Sequence, residues 1–561
     1  MWFWHYQRLT SALFVFSGLS AAACFYFFLA PRIIASYDIY SQSCSIFSSS
    51  AVIDATSVSF SAVVGFIASC VLMFSRHYMA SDIYYYRFTW SILLSFVISM
   101  QLLIFSNSLF LLLMGWDGLV FRRLPDHMLS ERWKAARPSF LTLMVNRIGD
   151  ALIMCSMFAV IFSGTALMSY FSSATRISVS FLYLVAAMTK SAQYPFSAWL
   201  PAAMACPTPV SALVHPSTLV TAGVYLLVRM CLSYDMPPSL CSLLLLVGSV
   251  TSLIGGVCAV YENDLKKLIA LSTLSQLGVM VFSLGLGMYS LALLHLFTHA
   301  MFKALLFLAP SGVVLLHVGG TQDMRLMGSI TGKSPLLLVF LNVSSLSLAG
   351  FPFLSAYYSK HAILASMWAS NSNLLAVLLM VVSMFLSSVY MFRMLKILNW
   401  GVRGSSAVTA PQLSFYFYVP LILLMLGSCF AGWGLTILSA NCSSKPCANM
   451  FSLCFATSPA FGHRGGYLEA LKSRWQVVLM QYYILHVPIS HTLVGHVMPE
   501  CGLMFMPSSK VDLNHQHTYL RAVGFMRYCS TRSLWPLSSL QIAPFFVGAG
   551  GLMAWCWYFL M

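Results

Sequence analysis

Residues 186–223 read AAMTKSAQYPFSAWLPAAMACPTPVSALVHPSTLVTAG, an apolar stretch that carries Lys190, Gln193 and His215 and is interrupted by five prolines. A lysine in a membrane-spanning segment costs roughly 2.5–3.5 kcal/mol on insertion scales, so such a side chain faces the protein interior or a water-filled path. Each proline removes a backbone donor, and inside a membrane the freed carbonyl groups are tolerated only where protein or cavity water satisfies them. An ionisable group beside a broken helix is typical of a transport site.

The composition of the whole chain places this stretch in a membrane. Of 561 residues, 59% are hydrophobic and 8% are charged, and the mean hydropathy is +0.82. A soluble domain has about 25% charged residues. Apolar runs of about 20 residues, the length that crosses the hydrocarbon core, recur along the chain and leave no room for a large soluble domain. We therefore expect an all-α polytopic membrane protein with about 15 transmembrane helices.

Charge and cysteine usage exclude several other classes of protein. The net charge of +16 comes from 30 basic against 14 acidic residues, and most basic residues lie in short loops or near the C-terminus. This predicts contact with anionic lipid headgroups rather than with nucleic acid. The 15 cysteines are scattered without C-x-x-C spacing, so no metal or iron–sulfur site is expected, even at Cys442, Cys447 and Cys454. The N-terminus resembles neither a signal nor a transit peptide, so the chain is expected to insert through its own helices.

The apolar runs also predict where the spans lie. Residues 87–120 are long enough for two spans joined near Asn107. The other predicted spans cover residues 13–29, 57–74, 139–164, 237–260, 266–286, 288–317, 335–363, 374–398, 414–438, 475–496 and 541–561, besides the broken segment and the helix that follows it to Arg229.

A second interrupted span lies at residues 335–363. Gly350 and Pro352 break the segment LSLAGFPFLSAYYSKH just before Lys360, which follows Lys190 by 170 residues. Two interrupted spans that each carry a lysine predict an internal repeat of about five helices.

Two further groups of ionisable residues lie in apolar spans. His295, His299 and Lys303 follow one another at intervals of four residues and therefore share one stripe of a helix. Such a stripe favours a hydrated file of proton-exchanging groups over isolated core histidines. Arg147 and Asp150 are three residues apart on one helical face. This pair is explained equally well as a structural ion pair or as part of a functional site.

Six motifs appear in an order and at a spacing that resemble the antiporter-like subunits of respiratory complex I. They are GWDG (115–118), NRIGD (146–150), TKSAQYPFSAWLPAAMACPTPVSALVH (189–215), ENDLKKLIALSTLSQLG (262–278), THAMFKALLF (298–307) and LAGFPFLSAYYSK (348–360). The resemblance runs collinearly over about residues 50–400. It implies two inverted five-helix repeats, each containing a broken helix, joined by a central line of charged residues that moves protons.

The resemblance also implies roles for individual residues. Asp117 matches the acidic partner of Lys190, and Arg147 with Asp150 matches a supporting ion pair. The residues implied to carry protons are Asp117, Lys190, His215, His295, His299, Lys303 and Lys360. No residue is implied to bind a metal or a cofactor.

The domain organisation that follows from the resemblance has four parts. Residues 1–86 would form N-terminal transmembrane helices, 87–260 the first repeat, 261–400 the second repeat, and 401–561 the C-terminal helices with a lateral amphipathic helix at 511–538 and a terminal anchor.

The implied setting is the mitochondrial inner membrane. The partners would be other membrane-arm subunits of complex I and lipids, cardiolipin among them, without nucleic acid. No Gly-rich nucleotide-binding loop is evident, so NADH, FMN, iron–sulfur clusters and ubiquinone would be bound elsewhere in the complex, and the chain would count as an enzyme only as a subunit.

Several positions depart from the pattern of the resembled family. Thr189, Pro216 and His361 replace the glycine, serine and aspartate that the family often has, and a basic segment at 122–137 follows the GWDG motif. Two other functions stay open on the sequence. One is a subunit of a multisubunit cation/proton antiporter, and the other is a structural subunit whose charges only hold helices together.

Overall fold

The computed structural model describes residues 2–29, 33–38, 48–78, 93–121, 133–162, 173–233, 236–316, 322–327, 334–370, 373–400 and 415–442. All of them belong to the first of two compact units of the chain, Met1–Leu471. The predicted spans at 475–496 and 541–561, the lateral helix at 511–538, and Cys447 and Cys454 lie outside the described residues.

Helices dominate the described part of the chain. They are α1 (Trp2–Leu29), α2 (Ala55–Tyr78), α3 (Leu94–Phe105), α4 (Leu109–Phe121), α5 (Trp133–Phe162), α6 (Ser173–Lys190), α7 (Thr208–Leu213), α8 (Leu219–Ser233), α9 (Pro238–Tyr261), α10 (Leu265–Gly285), α11 (Tyr289–Leu316), α12 (Pro335–Ala349), α13 (Ser355–Ala369), α14 (Leu374–Trp400) and α15 (Phe415–Cys442). Nine helical segments are long and apolar enough to cross a membrane, and four shorter apolar helices accompany them among the described residues. The predicted all-α polytopic membrane fold is confirmed.

A short β-hairpin is the feature that the sequence did not predict. The polar segment after α1 forms β1 (Ile33–Asp38), which pairs antiparallel with β2 (Ser48–Ile53) from Ile33 opposite Ile53 to Asp38 opposite Ser48. The hairpin leads directly into α2, and an isolated bridge joins Ala51 to Ser106. The hairpin and this bridge therefore connect the N-terminal helices to the α3–α4 turn.

Both predicted helix breaks are present, and each lies at proline or glycine residues that prevent a continuous helix. After Lys190 the chain passes through turns, two short 3₁₀ segments and a four-residue helical segment, Trp199–Ala202, before α7 begins after Pro207. The second break begins at Gly350, whose φ of 85° caps α12 and whose N–H donates to Leu346 and Ser347. Both breaks also contain a non-glycine residue with positive φ, Ala192 (54°) and Phe353 (67°).

The helices that carry the polar sequence motifs lie inside the bundle. The most apolar stretches of the segment Thr208–Ser233 and of helix α10 are completely buried, and that of α11 is almost completely buried. The corresponding stretch of α1 is mostly exposed. His295, His299 and Lys303 of α11 are therefore shielded from lipid, as membrane-embedded ionisable groups generally are.

An ion pair fastens α8 to the start of α2. Arg229 donates to Asp54 over 2.8 Å and to the hydroxyl of Tyr225 over 3.0 Å, and Tyr225 in turn donates to the carbonyl of Ile104. The ring of Tyr225 stacks on Phe60 with centroids 4.9 Å apart. This cluster holds α2, α3 and α8 together at one end of the bundle.

The connection between α9 and α10 is fixed by two other segments. Arg393 of α14 donates to the carbonyls of Val260 and Glu262 and to the side chain of Asn263. A bridge pairs Asp264 with Asp323, whose hydrogen bonds from Arg325 hold the pKa of the Asp323 carboxyl below its ordinary value. The α9–α10 turn is therefore attached to α14 by three hydrogen bonds from one side chain.

Candidate functional site

Lys190 ends the first half of the broken segment and is fully buried. Its Nζ donates to the carbonyl of Trp116 over 3.0 Å and lies 4.6 Å from the centroid of the Trp116 ring. Since Trp116 immediately precedes Asp117 on α4, the lysine reaches the helix that carries its predicted acidic partner.

Four charged residues lie close together here: Asp117 on α4, Arg147 and Asp150 on α5, and Lys190 on α6. Arg147 lies 3.2 Å from Asp150 and 3.9 Å from Asp117, so one guanidinium faces two carboxylates. Lys190, Asp117 and Arg147 all lie within electrostatic range of Asp150. Asp150 is the better shielded carboxylate, with a side chain 8% exposed against 29% for Asp117. Lys190 therefore has two carboxylates in its surroundings.

Close packing of α5 on the end of α6 brings these charges together. A Cβ atom at Gly149 would lie 2.1 Å from the hydroxyl oxygen of Thr189, which itself donates to Ala186. On the opposite side, a Cβ at Gly223 would lie 2.6 Å from the carbonyl oxygen of Ala187. Two glycines thus let α5 and α8 approach the backbone next to Lys190.

Replacement of Gly149 by Ala is expected to displace Thr189 and with it Lys190, because a contact of 2.1 Å cannot persist. Overpacking of this kind destabilises by about 1–3 kcal/mol, which thermal unfolding of the assembled complex would show. The double variant Gly149→Ala, Thr189→Ala should recover stability, because the other contacts of the new Cβ are at least 3.4 Å long. Equal stability of the single variant and the wild type would contradict this packing.

His215 lies in a π-helical segment, Val214–Thr218, between α7 and α8. Pro216 has no N–H to donate within this segment. The hydroxyls of Ser217 and Thr218 instead donate to the carbonyl of Leu213. The backbone around His215 is thereby satisfied in a buried position.

Trp199 connects His215 with the Lys190 region. The two rings have centroids 6.4 Å apart, and the indole N–H of Trp199 donates to the carbonyl of Thr189 over 3.0 Å. On its other side, the π-helical segment packs against α11. His215 therefore occupies an intermediate position between Lys190 and the central helix.

The predicted stripe on α11 is fully buried. The rings of His295 and His299 have centroids 6.3 Å apart, and Lys303 acts electrostatically on His299. Neither ring nitrogen of His299 has a hydrogen-bond partner among the described residues. The Nζ of Lys303 donates to the hydroxyl of Ser272 on α10, so this lysine is directed to a neighbouring helix rather than to His299.

Lys360 lies at the second break and faces back across it. Its Nζ donates to the carbonyl of Leu348, near the end of α12. The preceding residue, Ser359, has its hydroxyl oxygen 2.8 Å from Nδ1 of His295. Lys360 acts electrostatically on His295, His299 and Lys303. The second break and the α11 stripe thus form one cluster.

The predicted residues therefore form two groups with His215 between them. One group holds Lys190 with Asp117, Arg147 and Asp150, and the other holds the α11 stripe with Lys360. The prediction missed several polar contacts of these groups, which involve Trp116, Ser272, Ser359 and Tyr390. A signal for one of them was present, because Ser272, Ser275 and Gln276 are spaced as one polar stripe of an apolar helix.

Two family models match the chain. Residues 106–387 match the membrane domain described as NADH:quinone oxidoreductase/Mrp antiporter. Residues 45–89 match the model described as NADH-Ubiquinone oxidoreductase (complex I), chain 5 N-terminus. The two matches together include every predicted site residue.

Relatives of known name agree with these models. NADH-ubiquinone oxidoreductase chain 5 of Artemia franciscana is 42% identical over 369 residues, which cover 65% of this chain and 66% of that one. The chain 5 protein of Mytilus edulis is 34% identical over 529 residues, covering 92% and 90% of the two chains.

Two solved structures share the fold. The Mrp complex from Dietzia sp. DQ12-45-1b matches with a TM-score of 0.67 and 22% identity over 98% of this chain and 61% of that one. The membrane-bound sulfane sulfur reductase, an archaeal respiratory membrane complex, matches with a TM-score of 0.66 and 19% identity, covering 80% and 92%.

Proposed function

Because this chain belongs to the family of NADH-ubiquinone oxidoreductase chain 5, a subunit of the proton-translocating respiratory complex in the mitochondrial inner membrane, we propose that it carries protons through its buried lysines and histidines. The route begins at the Lys190 group, passes His215, continues along His295, His299 and Lys303, and ends at Lys360. Arg147 and Asp150 support the first station.

The burial of three lysines supports this proposal more than any other observation. Lys190 and Lys303 are 0% exposed and Lys360 is 4% exposed. Among the described residues, neither Lys303 nor Lys360 has an ion pair with a carboxylate. A buried unpaired ammonium group destabilises a protein by several kcal/mol, so a purely structural role would not account for these side chains.

At the first station, Arg147 provides a means of switching. Its guanidinium forms an ion pair with Asp150 at 3.2 Å and is close to Asp117 at 3.9 Å. When Arg147 binds one carboxylate tightly, the other is more available to Lys190, and a closer carboxylate favours the ammonium form of the lysine. Movement of Arg147 between the two would make Lys190 hold or release its proton.

The same chain is proposed to take no part in electron transfer. NADH, FMN, iron–sulfur clusters and ubiquinone are assigned to other subunits of the complex, and neighbouring membrane-arm subunits are its protein partners. The apolar surface of α1 and α14, with exposed Leu19, Phe25, Leu374 and Leu378, suits contact with lipid, for which we propose cardiolipin as one component. The two inverted repeats, 87–260 and 261–400, stay part of this proposal, each with one of the two breaks.

Replacement of Lys190 by Met is expected to lower the ratio of protons pumped to NADH oxidised in the assembled complex, because the first station can no longer bind a proton. The ratio would be measured in proteoliposomes with a pH-sensitive dye. Lys396→Met, which removes an exposed lysine of α14, is the matched control and should leave the ratio unchanged. A wild-type ratio in the Lys190 variant would exclude this residue from the route.

A cation/proton antiporter is the second candidate function, and the shared fold with the Mrp complex favours it. The two functions differ in their cation dependence. Proton pumping that is independent of sodium supports the respiratory function, whereas pumping that requires a sodium gradient would favour antiport.

A further inference from the structure

Lys303 is directed away from the histidines of its own helix. Its Nζ donates to the hydroxyl oxygen of Ser272, and the hydroxyl proton of Ser272 is already given to the carbonyl of Ile269 over 2.6 Å. Ser272 is therefore an acceptor toward the ammonium group, and it is fully buried.

Three other buried side chains surround Ser272. The phenol oxygen of Tyr390, on α14, lies 3.3 Å from the hydroxyl oxygen of Ser275, and Nε2 of Gln276 donates to the same hydroxyl oxygen over 3.5 Å. Ser275 gives its own proton to the carbonyl of Ser272 over 2.9 Å, so the phenol donates to Ser275 and keeps its lone pairs available. We call Ser272, Ser275, Gln276 and Tyr390 the hydroxyl cage.

One acceptor of the cage is unused. Oε1 of Gln276 is buried and has no hydrogen-bond partner among the described residues. A buried carbonyl oxygen without a donor is unfavourable, and a cation nearby is the partner that compensates for it best. The cage therefore offers more acceptor capacity than its own donors use.

The electrostatic surroundings of Lys303 contain one cation, Lys360, and no carboxylate among the described residues. His299 of α11 and Lys360 of α13 interact electrostatically with it, and Tyr390 of α14 lies beside Ser275. This differs from Lys190, which shares its surroundings with Asp117 and Asp150. The stabilisation of the Lys303 ammonium must come from neutral oxygen atoms.

We propose that the hydroxyl cage is the counter-site of Lys303, and that Tyr390 is the positioning residue that keeps the oxygens of Ser272 and Ser275 arranged toward the ammonium group. The inference rests on the proposed function of Lys303 in proton transfer. Neutral dipoles stabilise an ammonium less than a carboxylate does, so the lysine can release its proton when it leaves the cage. Release then needs no separation of an ion pair.

The position of Tyr390 is itself fixed. Arg393, three residues later on α14, binds the α9–α10 turn at Glu262 and Asn263. Three residues correspond to about 4.5 Å of helix rise, so the phenol is held one turn from this attachment. Movement of the turn would be transmitted to the cage.

The test is the pH dependence of proton pumping by the Tyr390→Phe variant in the assembled complex, reconstituted in proteoliposomes. Loss of the phenol oxygen makes the ammonium form less favourable, so the limb of the profile that reflects deprotonation of Lys303 should move to lower pH by about 0.5–1 unit. Ser272→Ala should move it further in the same direction. Ser283→Ala removes a buried hydroxyl of α10 that donates only to a carbonyl of its own helix, at Met280. This control should leave the pH profile unchanged.

Two outcomes distinguish the cage from the route. If Lys303→Met stops proton transfer and Tyr390→Phe keeps the wild-type profile, the cage is wrong and the route stands. If Lys303→Met pumps normally, the proposed function fails first. Should Tyr390→Phe fail to assemble, Ser275→Ala provides a second test, because it retains the phenol but removes its hydrogen-bond partner. The pH profile of this variant must still shift to lower pH, and an unshifted profile would overturn the cage.

Discussion

Replacement of Lys303 by Met is expected to abolish proton transfer through this chain while the subunit still assembles. Lys303 ends the α11 stripe and interacts electrostatically with His299 and with Lys360, so its loss interrupts the route within the second group, before Lys360. Methionine fills a similar volume and removes a buried charge, which tends to stabilise a core rather than weaken it. The ratio of protons pumped to NADH oxidised should therefore fall.

Lys267→Met is the matched control for this variant. Lys267 lies on the adjacent helix with a 47% exposed side chain, where it pairs with Asp264 over 2.6 Å. An exposed pair of this kind contributes about 1 kcal/mol or less, so its loss should change neither assembly nor the proton ratio. An undiminished ratio in the Lys303 variant, alongside normal complex content, would remove this lysine from the mechanism.

Replacement of Gly278 by Val is expected to prevent stable packing of α9 against α10. A Cβ at this position would lie 2.6 Å from the backbone nitrogen of Ser252 and 2.7 Å from the carbonyl oxygen of Gly248. Backbone atoms cannot turn aside as a side chain can, so the two helices must separate. The loss of stability should reach about 3 kcal/mol or more, measured as a lower unfolding temperature and less assembled complex.

Gly434→Ala provides the comparison for the glycine substitution. Gly434 lies on α15, and a Cβ there meets no atom within 4 Å. Alanine favours helix over glycine by about 0.8–1.0 kcal/mol, so this variant should be neutral or slightly stabilised. If Gly278→Val assembled as well as Gly434→Ala, the close approach of α9 and α10 would not hold in the native protein.

The parts of the fold that the sequence predicted are those encoded by local signals. Prolines at 195, 201 and 207 and Gly350 marked the two breaks, because these residues prevent a continuous helix wherever they occur. Helix lengths followed from apolar runs, and the join near Asn107 was found between α3 and α4. The hairpin was missed because neither β1 (IIASYD) nor β2 (SSSAVI) has the alternating pattern of a half-buried strand.

The contacts that define the site depend on tertiary packing and were therefore harder to predict from the sequence. Ser275 and Tyr390 are 115 residues apart in the chain, and no local pattern pairs them. Asp150 was recognised as the partner of Arg147, but its electrostatic contact with Lys190 arises only when α5 packs on α6. The spacing of four residues on α11, by contrast, was sufficient to place His295, His299 and Lys303 on one face.

The contact between Gly149 and Thr189 also predicts a pattern of natural variation. The two positions share one small volume beside Lys190, so the size of one side chain limits the size of the other. Among related chains, a residue larger than glycine at the first position should occur only with a small residue at the second. The two positions should therefore vary together. The side chain at position 189 should become smaller before the side chain at position 149 becomes larger.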